Sequence, residues 1–234
     1  MQNPPVGANP SSPYVGKVFC IGFYKTGTTT LFEALKLLGL RTVNGDKPGS
    51  YPGADDGATL IRQIDAGDFR LPTFDLFDAF TDNPYFRIWR EIYAQFPQAK
   101  YILTVRDEQR WIESCVRFYA NRRIRPMRVW MFGPHADPSR SEASRTAWLD
   151  AYRAHNAAVR AHFAGHPADR YLELDLVQNP RWDELCAFVD RPVPPVPLPH
   201  ANPTKPDALW RPAWRRLRRA MGLEAEPPDE GDSG

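Results

Sequence analysis

Apolar positions along this chain alternate between two spacings. Residues 18–21 and 101–105 are short, nearly continuous apolar runs. Runs of that length, closed by turn residues, read as strands buried on both faces. Between them the spacing lengthens to three and four. Leu31, Leu35 and Leu38 mark a helix over 28–38, with Gly39 as its stop. Tyr85, Ile88, Trp89, Ile92, Tyr93 and Phe96 form one wide apolar stripe behind Asp82-Asn83-Pro84, which reads as the opening of that helix. Further helices are predicted over 58–66, 108–121, 141–164 and 182–189, and further strands at 41–43, within 69–80 and at 170–175. Strands alternating with helices predict the α/β class: a single-domain, P-loop-type parallel sheet flanked by helices.

The flanks read differently. Residues 1–15 are rich in Pro, Asn and Ser and predict a disordered N-terminus. Residues 44–57 hold Gly, Asp and Pro and predict a surface loop. Seven prolines within 192–206 predict extended chain. A basic helix is expected at 208–221, with Trp210 and Trp214 among arginines, and an acidic disordered tail over 223–234. The α/β domain is therefore expected to span 16–222.

The run Gly22-Phe23-Tyr24-Lys25-Thr26-Gly27-Thr28-Thr29-Thr30 follows the first strand and opens the first helix. That arrangement is a phosphate cradle: loop and first-turn N–H groups converge, and the helix dipole favours an anion there. An ATP-binding loop places Lys directly after the last glycine, then Ser or Thr for Mg²⁺. Here Thr28 takes that position and Lys25 lies two residues before Gly27. An ATP- and Mg²⁺-dependent phosphotransferase stays open as an alternative, because Gly22 and Gly27 keep the glycine spacing and Asp107 follows a strand as a Walker-B acid would.

Composition narrows this little. The 234 residues suffice for a full core, and 42% hydrophobic with 25% charged residues is ordinary for a globular protein. Net charge is +2; five of the 28 acids and none of the 30 bases fall at 224–234, so the rest of the chain is +7. A mildly basic body suits an anionic nucleotide. Cys20, Cys115 and Cys186 lie in apolar patterns that predict buried, reduced thiols, and their spacing suits no metal site. No signal peptide or membrane-length apolar run is evident, so a cytoplasmic location is expected.

Lys25-Thr26-Gly27-Thr28-Thr29 resembles the 5′-phosphosulfate loop of sulfotransferases that use 3′-phosphoadenosine 5′-phosphosulfate (PAPS). Arg106 at a strand end and Ser114 eight residues later match the family's pair for the 3′-phosphate. Residues 179–202 look like the closing segment of one branch of the family. The resemblance implies PAPS as co-substrate, 3′,5′-ADP as product, no metal, no nucleic-acid partner, and a small-molecule or glycan acceptor sulfated on a hydroxyl or amine. It implies a donor site of Lys25, Thr26, Gly27, Thr28, Thr29, Thr30, Arg106 and Ser114, with Lys25 meeting charge on the leaving oxygen. Cytosolic sulfotransferases carry a His between the two motifs, and Asp82 stands at the comparable place as general base; helix N-capping is its bland alternative. Asp75 and Asp78 are reserves. Many relatives place an aromatic after the threonines, where this chain has Thr30, so adenine stacking falls to another residue such as Trp111 or Tyr24. His155 reads as a core histidine. The basic run 122–132 reads as an acceptor wall or a solvated loop. A relative that binds nucleotide without catalysis is the third reading.

Overall fold

A computed structural model describes residues 16–45, 49–55 and 57–199. All belong to one compact unit that reaches Ala201. The expected N-terminal disorder, the basic helix and the acidic tail lie outside the described residues.

The elements run β1 (Val18–Cys20), α1 (Thr28–Leu37), β2 (Thr42–Asn44), α2 (Ala58–Asp65), α3 (Thr73–Leu76), β3 (Ala79–Thr81), α4 (Trp89–Gln95), β4 (Lys100–Thr104), α5 (Glu108–Tyr119), α6 (Pro126–Phe132), α7 (Glu142–Phe163), β5 (Tyr171–Leu174) and α8 (Trp182–Phe188). The five strands form one parallel sheet in the order β2-β3-β1-β4-β5. The α/β reading of the sequence therefore holds.

The pleat sorts the strand residues between two cores. Phe19, Ile21, Phe80, Tyr101 and Leu103 face one side, packed with Ile92, Val159 and Phe163. Val18, Cys20, Ala79 and Ile102 face the other, under Leu31 and Leu35 of α1 and Leu185 of α8. Phe19 pairs in register with Phe80 and Tyr101, and its ring centre is 4.6 Å and 5.7 Å from theirs. A third cluster, with Phe23, Tyr24, Phe86, Trp111, Trp148 and Tyr152, sits beyond the strand ends.

Parallel strands put every carboxyl end on one rim. The chain leaves β1 through α1 toward β2 on one side, and leaves β4 toward β5 on the other. The loops after β1 and β4 therefore diverge between two neighbouring strands, which is where open α/β sheets form a ligand crevice.

Two local expectations fail. The stripe behind Asp82 is not all helix: residues 84–88 turn irregularly, Arg87 N–H donating to Pro84 at 2.8 Å, and α4 starts only at Trp89. Ile88 is the residue that flanks α4, so Asp82 lies too far upstream to cap it. Burial of the stripe, not helical geometry, sets its apolar spacing. The basic run is not a plain loop either. Pro126 sits in the first turn of α6, where its missing N–H costs nothing, and buried Arg128 donates to the carbonyls of Arg123 and Ala136.

His155 is the core histidine expected. Its Nε2–H donates to the Ile21 carbonyl at 2.6 Å, with Phe23 and Phe86 edge-on around the ring. Burial, aided by Arg90 and Arg87, pushes its pKa down to about 4 against the opposing hydrogen bond. Unfolded histidine titrates near 6.5, so this stability is present above pH ~6.5 and lost as pH falls toward 4, on the order of 3 kcal/mol. In His155→Gln that acid-side loss is expected to flatten. Urea midpoints at pH 7 and pH 4.5 check it; parallel losses in both proteins would sink the assignment.

Candidate functional site

Gly22 ends the first strand's run because nothing larger fits. A Cβ there would lie 2.2 Å from Thr104 Oγ1 and 2.4 Å from the Thr104 carbonyl. The loop can therefore press against the end of β4. Thr26 locks it there. Its hydroxyl donates to the Phe23 carbonyl and lies 2.6 Å from Thr104 Oγ1, which in turn is 3.6 Å from Cys20 Sγ. Proton direction follows: Cys20 S–H to Thr104, Thr104 to Thr26, Thr26 to Phe23.

The next two carbonyls are also tied inward. Trp111 Nε1–H donates to the Tyr24 carbonyl at 2.9 Å, and Arg106 Nη1–H donates to the Lys25 carbonyl at 3.3 Å. With acceptors turned away, the loop offers donors to the crevice. Gly27 (φ 100°) begins α1 without a side-chain cap, and Leu31 N–H donates to the Gly27 carbonyl at 2.9 Å. The first-turn N–H groups are the orphans that any helix start leaves. Glycine fits that left-handed position, and a side chain there would also approach Leu176 Cβ at 3.1 Å.

Lys25 has a left-handed backbone as well, φ 67°. Its side chain is half-buried and has no acidic partner among the described residues. Burial holds its pKa below the ordinary lysine value, with Arg106 and Arg122 adding repulsion. Among the described residues Arg106 likewise has no ion pair, and its buried Nε has no hydrogen-bond partner. Burial lowers its pKa too. Tyr152 of α7 clamps its backbone: the Arg106 N–H donates to the Tyr152 hydroxyl at 2.9 Å, and that hydroxyl donates to the Arg106 carbonyl at 2.8 Å. Trp111 stacks on Tyr152 at 4.2 Å.

A family model described as a sulfotransferase domain matches residues 17–206. The chain belongs to this sulfotransferase domain family. It is also 29% identical to Ava biosynthesis cluster protein M of Aspergillus versicolor, the similarity covering 79% of this chain and 80% of that protein.

Within this sulfotransferase domain, the loop, Arg106 and Asp82 share the carboxyl rim. Asp82 follows β3 and is near enough to act electrostatically on Lys25, Tyr24 and Tyr119. Its φ of 71° makes it, like Lys25, one of four left-handed non-glycine residues among those described. Ser114 lies two turns into α5, 9% exposed, on the face that carries Phe118. Thr28 and Thr30 are buried and Thr29 is half-buried. The Thr26 hydroxyl is bonded inside the protein, so only its backbone is left to face the crevice.

Topology separates the reserve acids from this rim. Asp78 precedes β3, at the amino end of the sheet, and forks onto Arg41 at 2.7 and 2.9 Å. Asp75 lies on α3 before it. Asp107 caps α5, accepting from Arg110 N–H at 3.0 Å, so its carboxylate is already engaged. Trp111 and Tyr24 are both buried in the third cluster and present no open face for adenine. Tyr152 and Phe118 were not singled out for the site by sequence reasoning. Tyr152 carried only an apolar-face signal at helical spacing; Phe118 shared Ser114's face at i+4.

Thr26→Val keeps the shape and deletes the hydroxyl, leaving the buried Phe23 carbonyl and the Thr104 hydroxyl short of a partner. A loss of about 2 kcal/mol is expected, read from urea unfolding, whereas Thr29→Ala should change stability by less than about 0.5 kcal/mol.

Proposed function

We propose that this sulfotransferase domain takes its sulfuryl group from PAPS and places it on a hydroxyl, or an amine, of a small-molecule or glycan acceptor in the cytoplasm. One observation carries the reading: two half-buried cations, Lys25 and Arg106, meet at the crevice of the sheet with no acid paired to either among the described residues. Unpaired partly buried charge is costly. The unpartnered Arg106 Nε and the uncapped start of α1 fit an anion with two phosphate-type groups.

The residues divide the work as follows. N–H groups of Lys25 to Thr30, with the Thr28 and Thr29 hydroxyls, hold the 5′ end of the donor. Arg106 and Ser114 hold the 3′-phosphate, the guanidinium by a charge-assisted fork. Lys25 places its ammonium where charge gathers on the leaving oxygen. Asp82 accepts the acceptor's proton. The bond to sulfur forms from the acceptor oxygen or nitrogen as the bond to the leaving phosphate oxygen breaks, and this scheme uses no metal. Both proposed chemical groups sit on left-handed backbone, which costs about 1–2 kcal/mol per residue, and such outliers gather at functional sites.

Calorimetry with 3′,5′-ADP against ADP, with and without Mg²⁺, tests the donor. A metal-independent preference for 3′,5′-ADP is expected; a preference for ADP that needs Mg²⁺ would restore the phosphotransferase reading. Arg106→Ala should weaken 3′,5′-ADP binding about 10- to 100-fold, the worth of a charged hydrogen bond. Lys25→Ala and Asp82→Asn should each abolish transfer with an unchanged circular dichroism spectrum, while Asp78→Asn, on the opposite rim, should keep turnover. Binding of 3′,5′-ADP without transfer to any acceptor, in wild type and Asp82→Asn alike, would identify a non-catalytic relative.

A further inference from the structure

Phe118 is a large apolar residue left exposed beside the cradle, at 36%. It stands four residues after Ser114, on the same face of α5. The Lys25 ammonium lies 3.9 Å from the centre of its ring, and the Arg122 guanidinium 4.2 Å from the same centre. Two cations on one ring need a reason, since they repel each other.

The groups around Lys25 supply it. Cys115 faces it from α5, Arg122 from just beyond α5, Arg106 from after β4 and Asp82 from after β3. Burial pushes the Cys115 thiol far up, so at neutral pH it carries no charge to offer. Arg106 and Arg122 add positive charge. An aromatic face, negative by its quadrupole, is the remaining attraction on the α5 side, and it holds ammonium and guanidinium alike.

We propose that Phe118 is a positioning residue: its ring holds the Lys25 ammonium, with Arg122, in the ligand-free site and releases it to the anionic groups of the donor. This rests on the reading of Lys25 as the cation that meets the donor. A cation–π contact is weaker than a charge-assisted bond to phosphate, so the donor wins the exchange. In the free protein the contact still confines a four-carbon side chain that would otherwise sample many rotamers.

Fluorination of Phe118 separates this from packing. Mono-, tri- and pentafluorophenylalanine keep the ring's shape and progressively cancel its quadrupole. The readout is the pH midpoint of the Lys25 ¹³Cε resonance in ¹³C-lysine-labelled full-length protein; the chain has six lysines, and Lys25→Arg identifies the signal. The ring face favours the protonated amine, so its loss lets the proton leave at lower pH. The midpoint is expected to fall stepwise, by about half a unit to one unit at pentafluorophenylalanine. Phe118→Leu should fall as far, and Phe118→Tyr should match wild type. One midpoint across the whole series would overturn the proposal. At saturating 3′,5′-ADP the fluorine dependence should vanish. Dependence that persists with nucleotide bound would overturn the release step. Failure of 3′,5′-ADP to bind would overturn the donor assignment instead, with the ring contact already decided by the first series.

Discussion

The carboxyl rim depends on three consecutive carbonyl oxygens turned into the protein. Phe23, Tyr24 and Lys25 give theirs to Thr26, Trp111 and Arg106. Those three donors come from the loop itself, from α5 and from the end of β4. A carbonyl pointing at the crevice would repel an anion; three pointing away leave the N–H dipoles to face it. The left-handed turns at Lys25 and Gly27 are what this orientation requires. Hydrogen bonds of this kind contribute roughly 0.5–1.5 kcal/mol each, more where a guanidinium donates, enough together to hold a strained lysine backbone.

Charge distribution follows the same division. Several other arginines are paired: Arg41 with Asp78, Arg153 with Glu108, Arg160 with Glu173. These exposed pairs contribute little individually. At the rim, Lys25 and Arg106 have no such partner among the described residues, and burial lowers the proton affinity of both. The protein tolerates this because backbone and ring groups share the load. Arg106 is clamped through its own N–H and carbonyl by Tyr152, and Lys25 rests on Phe118. On the proposed reading, an incoming anion is the partner that these cations would take.

Much of this was legible from residue order alone. Strand runs, the helix stripes at Leu31–Leu38 and Trp148–Phe163, and the glycine loop are local patterns, and local patterns follow from backbone geometry within a few residues. The α/β class and the nearness of Gly22–Thr29 to Arg106 followed from them, and the family from the resemblance of the glycine loop and the Arg106–Ser114 spacing. So did the inert character of the cysteines, all three of which are buried and free. The stripe at Tyr85–Phe96 shows the limit: its apolar spacing was real, yet its first turn is not helical, because burial can impose the spacing without the hydrogen bonds.

Tertiary structure decided what each side chain is for. Thr26 and Thr29 look alike in sequence, but one hydroxyl is bonded to Thr104, 78 residues away, and the other is half-open. Asp78 and Asp82 are four residues apart, and three strand residues between them put them on opposite rims of the sheet. Trp111 became a side-chain donor to the Tyr24 carbonyl, across 87 residues, with its ring stacked on Tyr152 and closed to adenine. Sequence fixes which groups exist and how they repeat; which way a carbonyl or a ring faces depends on partners brought together only when the parallel strands align their ends.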